Sequence, residues 1–302
     1  MSGNLPYVSV VMPTRNRVAL LERCLQKLLA QDMPAEELEI IVVDDGSTDG
    51  TSARVCGIAA QSRVAIRLIK EEGRGPAVAR NIGWRAAKAP IILFTDDDCE
   101  PSKSWARVLS GFLKVQPAYG GAGGEIRRLR DSWPARFTDD VECMNHPGEE
   151  SDVYYLVSAN AGYRRSELEM VGGFSEVFPC AGGEDPELSY RIRARGSKLA
   201  KVAGAVVLHN HPTSIEGVYR MHFRYGRGEA LQQGGRGARG GVKMLVQEWR
   251  ESVAKYRRRT DLPISSRAVF CFLNFVRCFA LYRGFVYESG RKYLSCGVKN
   301  KK

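Results

Sequence analysis

Through the first hundred residues, short apolar runs alternate with stretches whose apolar residues recur at helical spacing. Tyr7 to Met12 (YVSVVM) is rich in β-branched side chains, ends at Pro13-Thr14, and predicts a strand. From Val18 to Gln31 the apolar positions Leu20, Leu21, Cys24, Leu25, Leu28 and Leu29 predict a helix. The alternation continues with a strand over 39–43, a helix over 49–60, a strand over 64–69, a helix over 77–87 that stops before Pro90, and a strand over 91–95. Such alternation implies a mostly parallel sheet flanked by helices, which binds ligands beyond the carboxyl ends of its strands. Polar clusters sit at those ends: Thr14-Arg15-Asn16, Asp44-Asp45-Gly46-Ser47 and Asp96-Asp97-Asp98. One crevice can therefore collect all three.

Beyond Gly120 the texture changes to GGAGGEI, a polar stretch around Trp133, and then LVSANAGYRRSELEMVGGF, where a short apolar segment leads into a helix. These features divide the chain into a catalytic domain over 1–212, with a nucleotide-binding half (1–118) and a mixed-sheet acceptor half (119–212), and a helical, basic region over 213–302. Within the latter, GVYRMHFRYGRG reads as a helix, GGRGARGG from Gly234 as a linker, and Ser265 to Glu288 as a last helix.

Charge sharpens that division. The net charge of +11 is carried by residues 212–302, which hold 19 Lys and Arg against 6 Asp and Glu, whereas residues 1–211 hold 26 against 28. A near-neutral catalytic part joined to a cationic tail points to an anionic partner surface. The last helix has a wide apolar face, with Phe270, Phe272, Leu273, Phe275, Phe279 and Phe285 among Arg267, Asn274, Arg277, Gly284 and Glu288. Its apolar run between arginines reads as too short to span a bilayer, so an interfacial helix is expected, assisted by the basic cluster Lys255, Arg257, Arg258 and Arg259. Packing on protein, including a second copy in a homo-oligomer, is the alternative. Nucleic acid is not expected, because few aromatics interleave the basic cluster. Eight cysteines without a CxxC pair, and no basic-then-apolar leader, suggest a reduced, cytoplasmic protein, peripheral at the inner face of the membrane.

Three adjacent carboxylates repel one another unless a cation or hydrogen-bond donors offset them, so Asp96, Asp97 and Asp98 predict a divalent metal, Mg²⁺ or Mn²⁺, shared with a substrate diphosphate. Glu184-Asp185 opens a helix after a Gly-Gly turn, where negative charge is favoured; capping and catalysis both fit. His209 and His211 alternate by two, so an extended backbone turns both to one face.

The segments VSVVMPTRNR, EIIVVDDGSTDG, GPAVARNIGWRAA, ILFTDDDCEP, SANAGYRRSELEMVGGFSE, GGEDPELSYRIRARG and VVLHNHP follow one another as in family 2 glycosyltransferases. From Val8 to His211 the chain resembles that family. The resemblance implies an α/β GT-A (Rossmann-like) fold with a mostly parallel mixed sheet, and an inverting transfer of one sugar from a nucleoside-diphosphate sugar to a hydroxyl acceptor, lipid-linked or a cell-envelope glycan. It implies that Asp44, beside Asp45, bonds the base, with Pro13, Thr14 and Arg15 lining base and ribose. Asp96 to Asp98 resemble the DxD motif: Asp96 and Asp98 hold the metal, Asp96 and Asp97 also serve the nucleotide sugar, and His209 or His211 adds an imidazole ligand. Asp185 is the implied general base with Glu184 supporting it, Arg80 the implied donor to phosphates or base, and Asn160 an acceptor-side residue. UDP is the expected nucleotide, with GDP or dTDP as alternatives.

For Asp44 and Asp45 the bland reading is a helix cap or an Asx-turn, for Arg80 a solvent-facing helix residue, for Asn160 an amide bracing its loop. Processive synthases carry Q-x-x-R-W, whereas Gln233 to Arg236 read QGGR followed by Gly237, so processive polymerisation is not expected. A nucleotidyltransferase is the rival enzyme class, but PTRNR lacks the Gly-rich loop and Lys that class needs. An inactive nucleotide-sugar or membrane-binding module is the non-enzymatic rival; it has no need of a base.

Overall fold

The computed structural model describes residues 6–141, 145–146, 148–232, 238–260 and 262–299, and gives no side-chain detail for 238–245 and 292–299. The chain forms two compact units. The first comprises residues 1–129, 144–179 and 184–210; the second comprises 130–143, 180–183 and 211–302.

In the first unit, β1 (Val8–Thr14), α1 (Val18–Leu29), β2 (Leu38–Asp44), α2 (Thr51–Ala59), β3 (Ala65–Lys70), α3 (Pro76–Ala86) and β4 (Ile91–Phe94) follow the strand-helix alternation read from the pattern. Then come β5 (Cys99–Pro101), α4 (Trp105–Val115) and β6 (Tyr119–Arg128). The second unit interposes α5 (Trp133–Asp140), after which the first resumes with the short pair β7 (Gly148–Glu149) and β8 (Asp152–Val153), β9 (Ala161–Arg164), α6 (Arg165–Val171), α7 (Glu184–Arg193) and β10 (Lys198–His209).

One eight-stranded sheet runs β3-β2-β1-β4-β9-β6-β10-β5. The pairs from β3 to β4 and the β6–β10 pair are parallel, while β9 and β5 are antiparallel to their neighbours. Helices covering a parallel sheet require strands apolar on both sides, and β1, β2 and β4 are buried at every position. At the edge, β3 is only half-buried. Val11, Ile41, Val43, Phe94, Tyr163 and Phe174 form the centre of the core, and Leu21, Cys24, Leu25 and Leu28 supply the inward stripe of α1.

The second unit holds α5, α8 (Ile215–Gln232), α9 (Ala238–Arg258) and α10 (Ile264–Lys299). Phe137, Val218, Tyr256, Phe270 and Leu273 make its core. Two expectations are corrected here. Residues 233–237, including the whole QGGR segment, lie outside the described residues, but the rest of the expected linker is helical, its glycines falling in the first turn of α9, where most backbone N–H groups have no helical partner to lose. The apolar run of α10 is not too short: Ile264–Arg291 is long and apolar enough, by length and composition alone, to cross a membrane, because its arginines interrupt the run without outweighing it. Nearly half of that stretch is buried within the protein.

Candidate active site

The ends of β1, β2 and β4 lie side by side in the sheet, which brings their polar sequels together. Thr14 closes β1 and donates its hydroxyl to Asp97 Oδ2 at 2.7 Å. Asn16 takes a left-handed backbone (φ 52°), and its Oδ1 accepts from the Thr48 N–H at 2.7 Å, tying the loop after β1 to the loop after β2. Arg17 follows, and one of its nitrogens lies 2.9 Å from both Asp97 Oδ1 and Asp98 Oδ2.

Arg80, on α3, is 2% exposed. Its guanidinium spans two carboxylates, 2.8 Å from Asp96 Oδ1 and 3.0 Å from Glu184 Oε1, and lies 5.6 Å from the centre of the Phe174 ring. It is not solvent-facing: the buried Glu184 and the half-buried Asp96 both engage it. Burial alone would raise Asp96, but Arg80, with His209 and Arg17, holds that carboxyl below its ordinary range. Asp97 behaves oppositely: burial, reinforced by Asp98 against the pull of Arg17, pushes it up to about 7.

Asp44 Oδ1 accepts from the Ser47 N–H, three residues on, at 2.8 Å, and Oδ2 accepts from the Ser52 hydroxyl at 2.5 Å. Asp45 accepts from the N–H groups of Arg74 (2.8 Å) and Gly75 (3.0 Å). Gly75 sits at φ +98° with Pro179 O 3.0 Å from where a Cβ would stand, so only glycine fits that turn. Arg15 is exposed and lies over Gly73.

Glu184 and Asp185 open α7 as predicted. Asp185 Oδ2 accepts from the Ser158 N–H at 2.9 Å, while Oδ1 is buried with no hydrogen-bond partner among the described residues. Burial first, and then the neighbouring Glu184 carboxylate, lift Asp185 to about 7. Asn160 is fully buried and its amide is spent on the scaffold: Oδ1 accepts from Trp105 Nε1 at 2.8 Å, and Nδ2 donates to Glu125 O (3.0 Å) and Ala205 O (2.9 Å). That is the bonding of a brace.

The two histidines part company. His209 closes β10 and lies directly across from Cys99 of β5, with Nε2 3.4 Å from Asp98 Oδ1. His211 belongs to the helical unit, where its Nε2 is 2.9 Å from Asp139 Oδ1. One carboxylate oxygen of Asp98, the Cys99 sulfur and a His209 nitrogen lie within 4.8 Å of one another. A carboxylate oxygen joined by an imidazole nitrogen is a donor set that a divalent ion such as Mn²⁺ can accept.

Residues 9–170, more than half of the chain, match the profile of Glycosyl transferase family 2. The chain belongs to glycosyl transferase family 2. Among its relatives, glycosyltransferase AglE of Haloferax volcanii is 37% identical over 235 residues, covering 76% of this chain and 75% of AglE. Validoxylamine A glucosyltransferase of Streptomyces hygroscopicus subsp. jinggangensis is 31% identical over 226 residues, covering 65% of this chain and 53% of the relative. The chain thus spans about half the length of that glucosyltransferase. In fold it is similar to the mannosyltransferase PcManGT of Pyrobaculum calidifontis, solved with GDP-Man and Mn²⁺ (TM-score 0.60, 21% identity, 98% of this chain and 80% of that one). It is also similar to residues 1–349 of S. aureus TarS (TM-score 0.54, 16% identity, 94% of this chain and 91% of that one). The family 2 fold seen here is GT-A, a Rossmann-like mixed sheet between helices.

Sequence reasoning missed three residues of this family 2 site. Arg17 belongs to the PTRNR segment already singled out, and its place three residues after Thr14 was the available signal. Cys99 directly follows the acidic run, but only strand register sets it opposite His209. Ser158, which anchors Asp185 through its backbone, leaves no side-chain signal.

Proposed function

We propose that this protein is an inverting, metal-dependent glycosyltransferase that moves a single sugar from a nucleoside-diphosphate sugar to a hydroxyl acceptor. The carrying observation is Asp185: one oxygen is anchored by the Ser158 N–H, the other is buried with no partner among the described residues, and its pKa stands near 7, as suits a general base at neutral pH. As the acceptor oxygen attacks the anomeric carbon, Asp185 takes the hydroxyl proton, and the bond from that carbon to the diphosphate breaks on the opposite side. Glu184, fixed by Arg80, keeps this end of α7 beside the acidic run. Asp96, Asp98 and His209 would hold Mn²⁺ or Mg²⁺. When bound, the ion neutralises charge developing on the departing nucleoside diphosphate. His211 is given no ligand role in this reading, since its Nε2 lies on Asp139.

Asp44 and Asp45, with Pro13, Thr14 and Arg15, form the nucleotide end, with UDP expected ahead of GDP and dTDP. A glucosyltransferase among the relatives supports a hexosyl donor. Asn160 serves the acceptor side indirectly, by bracing the loop that ends in β9. The acceptor is a hydroxyl compound, lipid-linked or a cell-envelope glycan, reached from the cytoplasmic face of an anionic membrane through residues 213–302.

The test is nucleoside-diphosphate release and thermal shift with UDP-, GDP- and dTDP-sugars and Mn²⁺ or Mg²⁺. Metal-dependent release from one donor, lost in Asp96→Ala/Asp98→Ala, is expected. Release that persists in the double variant overturns the metal assignment.

A further inference from the structure

The helical unit carries a surface its own fold does not use. Along α10, Ile264, Ala268, Phe272, Phe275, Phe279 and Val286 are exposed at steps of three, four or seven, one stripe about 33 Å long. Three phenylalanines dominate it, Phe272, Phe275 and Phe279, exposed by 53%, 55% and 46%. Exposed aromatics in such a row are a contiguous apolar patch rather than scattered surface residues. The charge beside it is cationic: Arg283 lies 5.9 Å from the centre of Phe279, and further round the helix Arg291 lies 5.9 Å from the centre of Tyr287. Between Ile264 and Arg291 the helix has one acid, Glu288, which is buried 2.7 Å from Arg227 of α8.

The opposite face is locked to protein. Gly226 of α8 and Gly284 of α10 let the two backbones meet, since a Cβ on either would fall 2.0 Å from the carbonyl oxygen of Leu281 or Phe223 respectively. Phe270, Leu273, Ala280 and Phe285 are buried on that side, with His222 and Asn274 among the buried polar residues. Crossing a bilayer would strip α10 from α8 and carry the Arg227–Glu288 pair, Asn274 and Arg277 toward hydrocarbon, at a cost the exposed stripe does not offset.

From these observations, and resting on the membrane partner of the proposed function, we infer that α10 lies flat in the interface of an anionic bilayer, its phenylalanine stripe sunk among acyl chains and Arg283 and Arg291 at the phosphates. This matches the rule for interfacial helices: an apolar face, cationic edges, and strength from buried area added to attraction for anionic lipid. It reassigns part of the basic cluster, because Lys255 and Arg259 are engaged by Asp140, leaving exposed Arg257 and Arg258 as the nearby cations.

The test is co-sedimentation of the full chain with phosphatidylcholine vesicles, with and without phosphatidylglycerol, for the wild type, Phe272→Ser/Phe275→Ser/Phe279→Ser, and Arg283→Gln/Arg291→Gln. We expect binding that needs phosphatidylglycerol, falls at least tenfold in the serine variant and several-fold in the glutamine variant, and is released by alkaline carbonate. Retention after carbonate would overturn the flat placement in favour of a span. Undiminished binding by the serine variant would overturn the stripe. A wild-type dimer in solution that the serine variant dissociates, without vesicle binding, would assign the stripe to a second copy. Nucleoside-diphosphate release without vesicles, measured on the same preparations, reports the transferase reading separately, and the serine variant should retain it.

Discussion

In the sheet unit, charge is drawn inward. Arg80 is nearly sealed from solvent between Asp96 and Glu184, Arg17 closes over Asp97 and Asp98, and two carboxyls sit near neutrality in their proton affinity. In the helical unit the excess charge is cationic and much of it faces water, while aromatic side chains share that surface. Inward charge makes a reaction site, because a low-dielectric surrounding strengthens each interaction and leaves oxygens such as Asp185 Oδ1 poised for a partner. Outward charge acts differently: individual ion pairs contribute little there and the summed field matters.

The largest effect is expected from Asp185→Asn, which keeps the shape of the side chain and removes its basicity. Turnover should fall by about 10²- to 10⁴-fold, the usual contribution of a general base, with donor affinity by calorimetry unchanged. In the wild type kcat/KM should rise with pH through about 7, because only the unprotonated carboxylate can accept the proton. A flat pH profile, or normal turnover in the variant, removes Asp185 from that role.

Next comes a paired test of inward against outward charge. Arg80→Met leaves Glu184 and Asp96 without their shared cation and should destabilise the protein by about 3–5 kcal/mol in denaturant unfolding. Arg220→Ala removes an exposed pair with Glu216 one turn away on α8 and should cost less than about 0.5 kcal/mol. Equal costs would erase the distinction between the units.

A smaller effect is expected at Arg17, which occupies the cationic position beside Asp97 and Asp98. Arg17→Gln should tighten binding of Mn²⁺ alone by up to about tenfold, read by calorimetry without nucleotide, because a competing positive charge is gone. Weaker binding would instead make Arg17 an organiser of the site.

The smallest expected effect is common to both units. Burial, with Lys201 nearby, lowers His146 to about 4, and burial, with Arg277 nearby, lowers His222 to about 3, from an ordinary 6.5. Both stay neutral in the folded protein while the unfolded chain takes up protons, so their stability contribution is complete above about 6.5 and is lost as pH falls toward the folded values. His222→Gln should flatten part of that acid-side decline in thermal unfolding and leave the share of His146.

Much of the sheet unit was legible before any coordinates. The strands and helices through β4 lie within about two residues of their predicted ends, because buried parallel strands and amphipathic helices each leave their own period. β5, three residues long, has no period to read, and the glycine-rich sequence at the start of α9 resembled a linker. At the site, the acids stood out through their positions after apolar runs. The partners did not: Arg80 and Asn160 stood out through neighbouring motif residues, whereas the groups their side chains bond lie on elements far along the chain.

What the sequence by itself determined is therefore local: which segments alternate, where carboxylates follow strands, which family the motifs belong to, and that the basic charge is concentrated at the end. Tertiary structure alone decided which cation neutralises which acid, that His209 shares the vicinity of Asp98 and Cys99, and which phenylalanines of α10 are left uncovered. The reason is physical. Periodicity records the neighbours a residue has one turn or two residues away, while strand register and helix packing choose partners dozens of residues distant, and burial then fixes their charge.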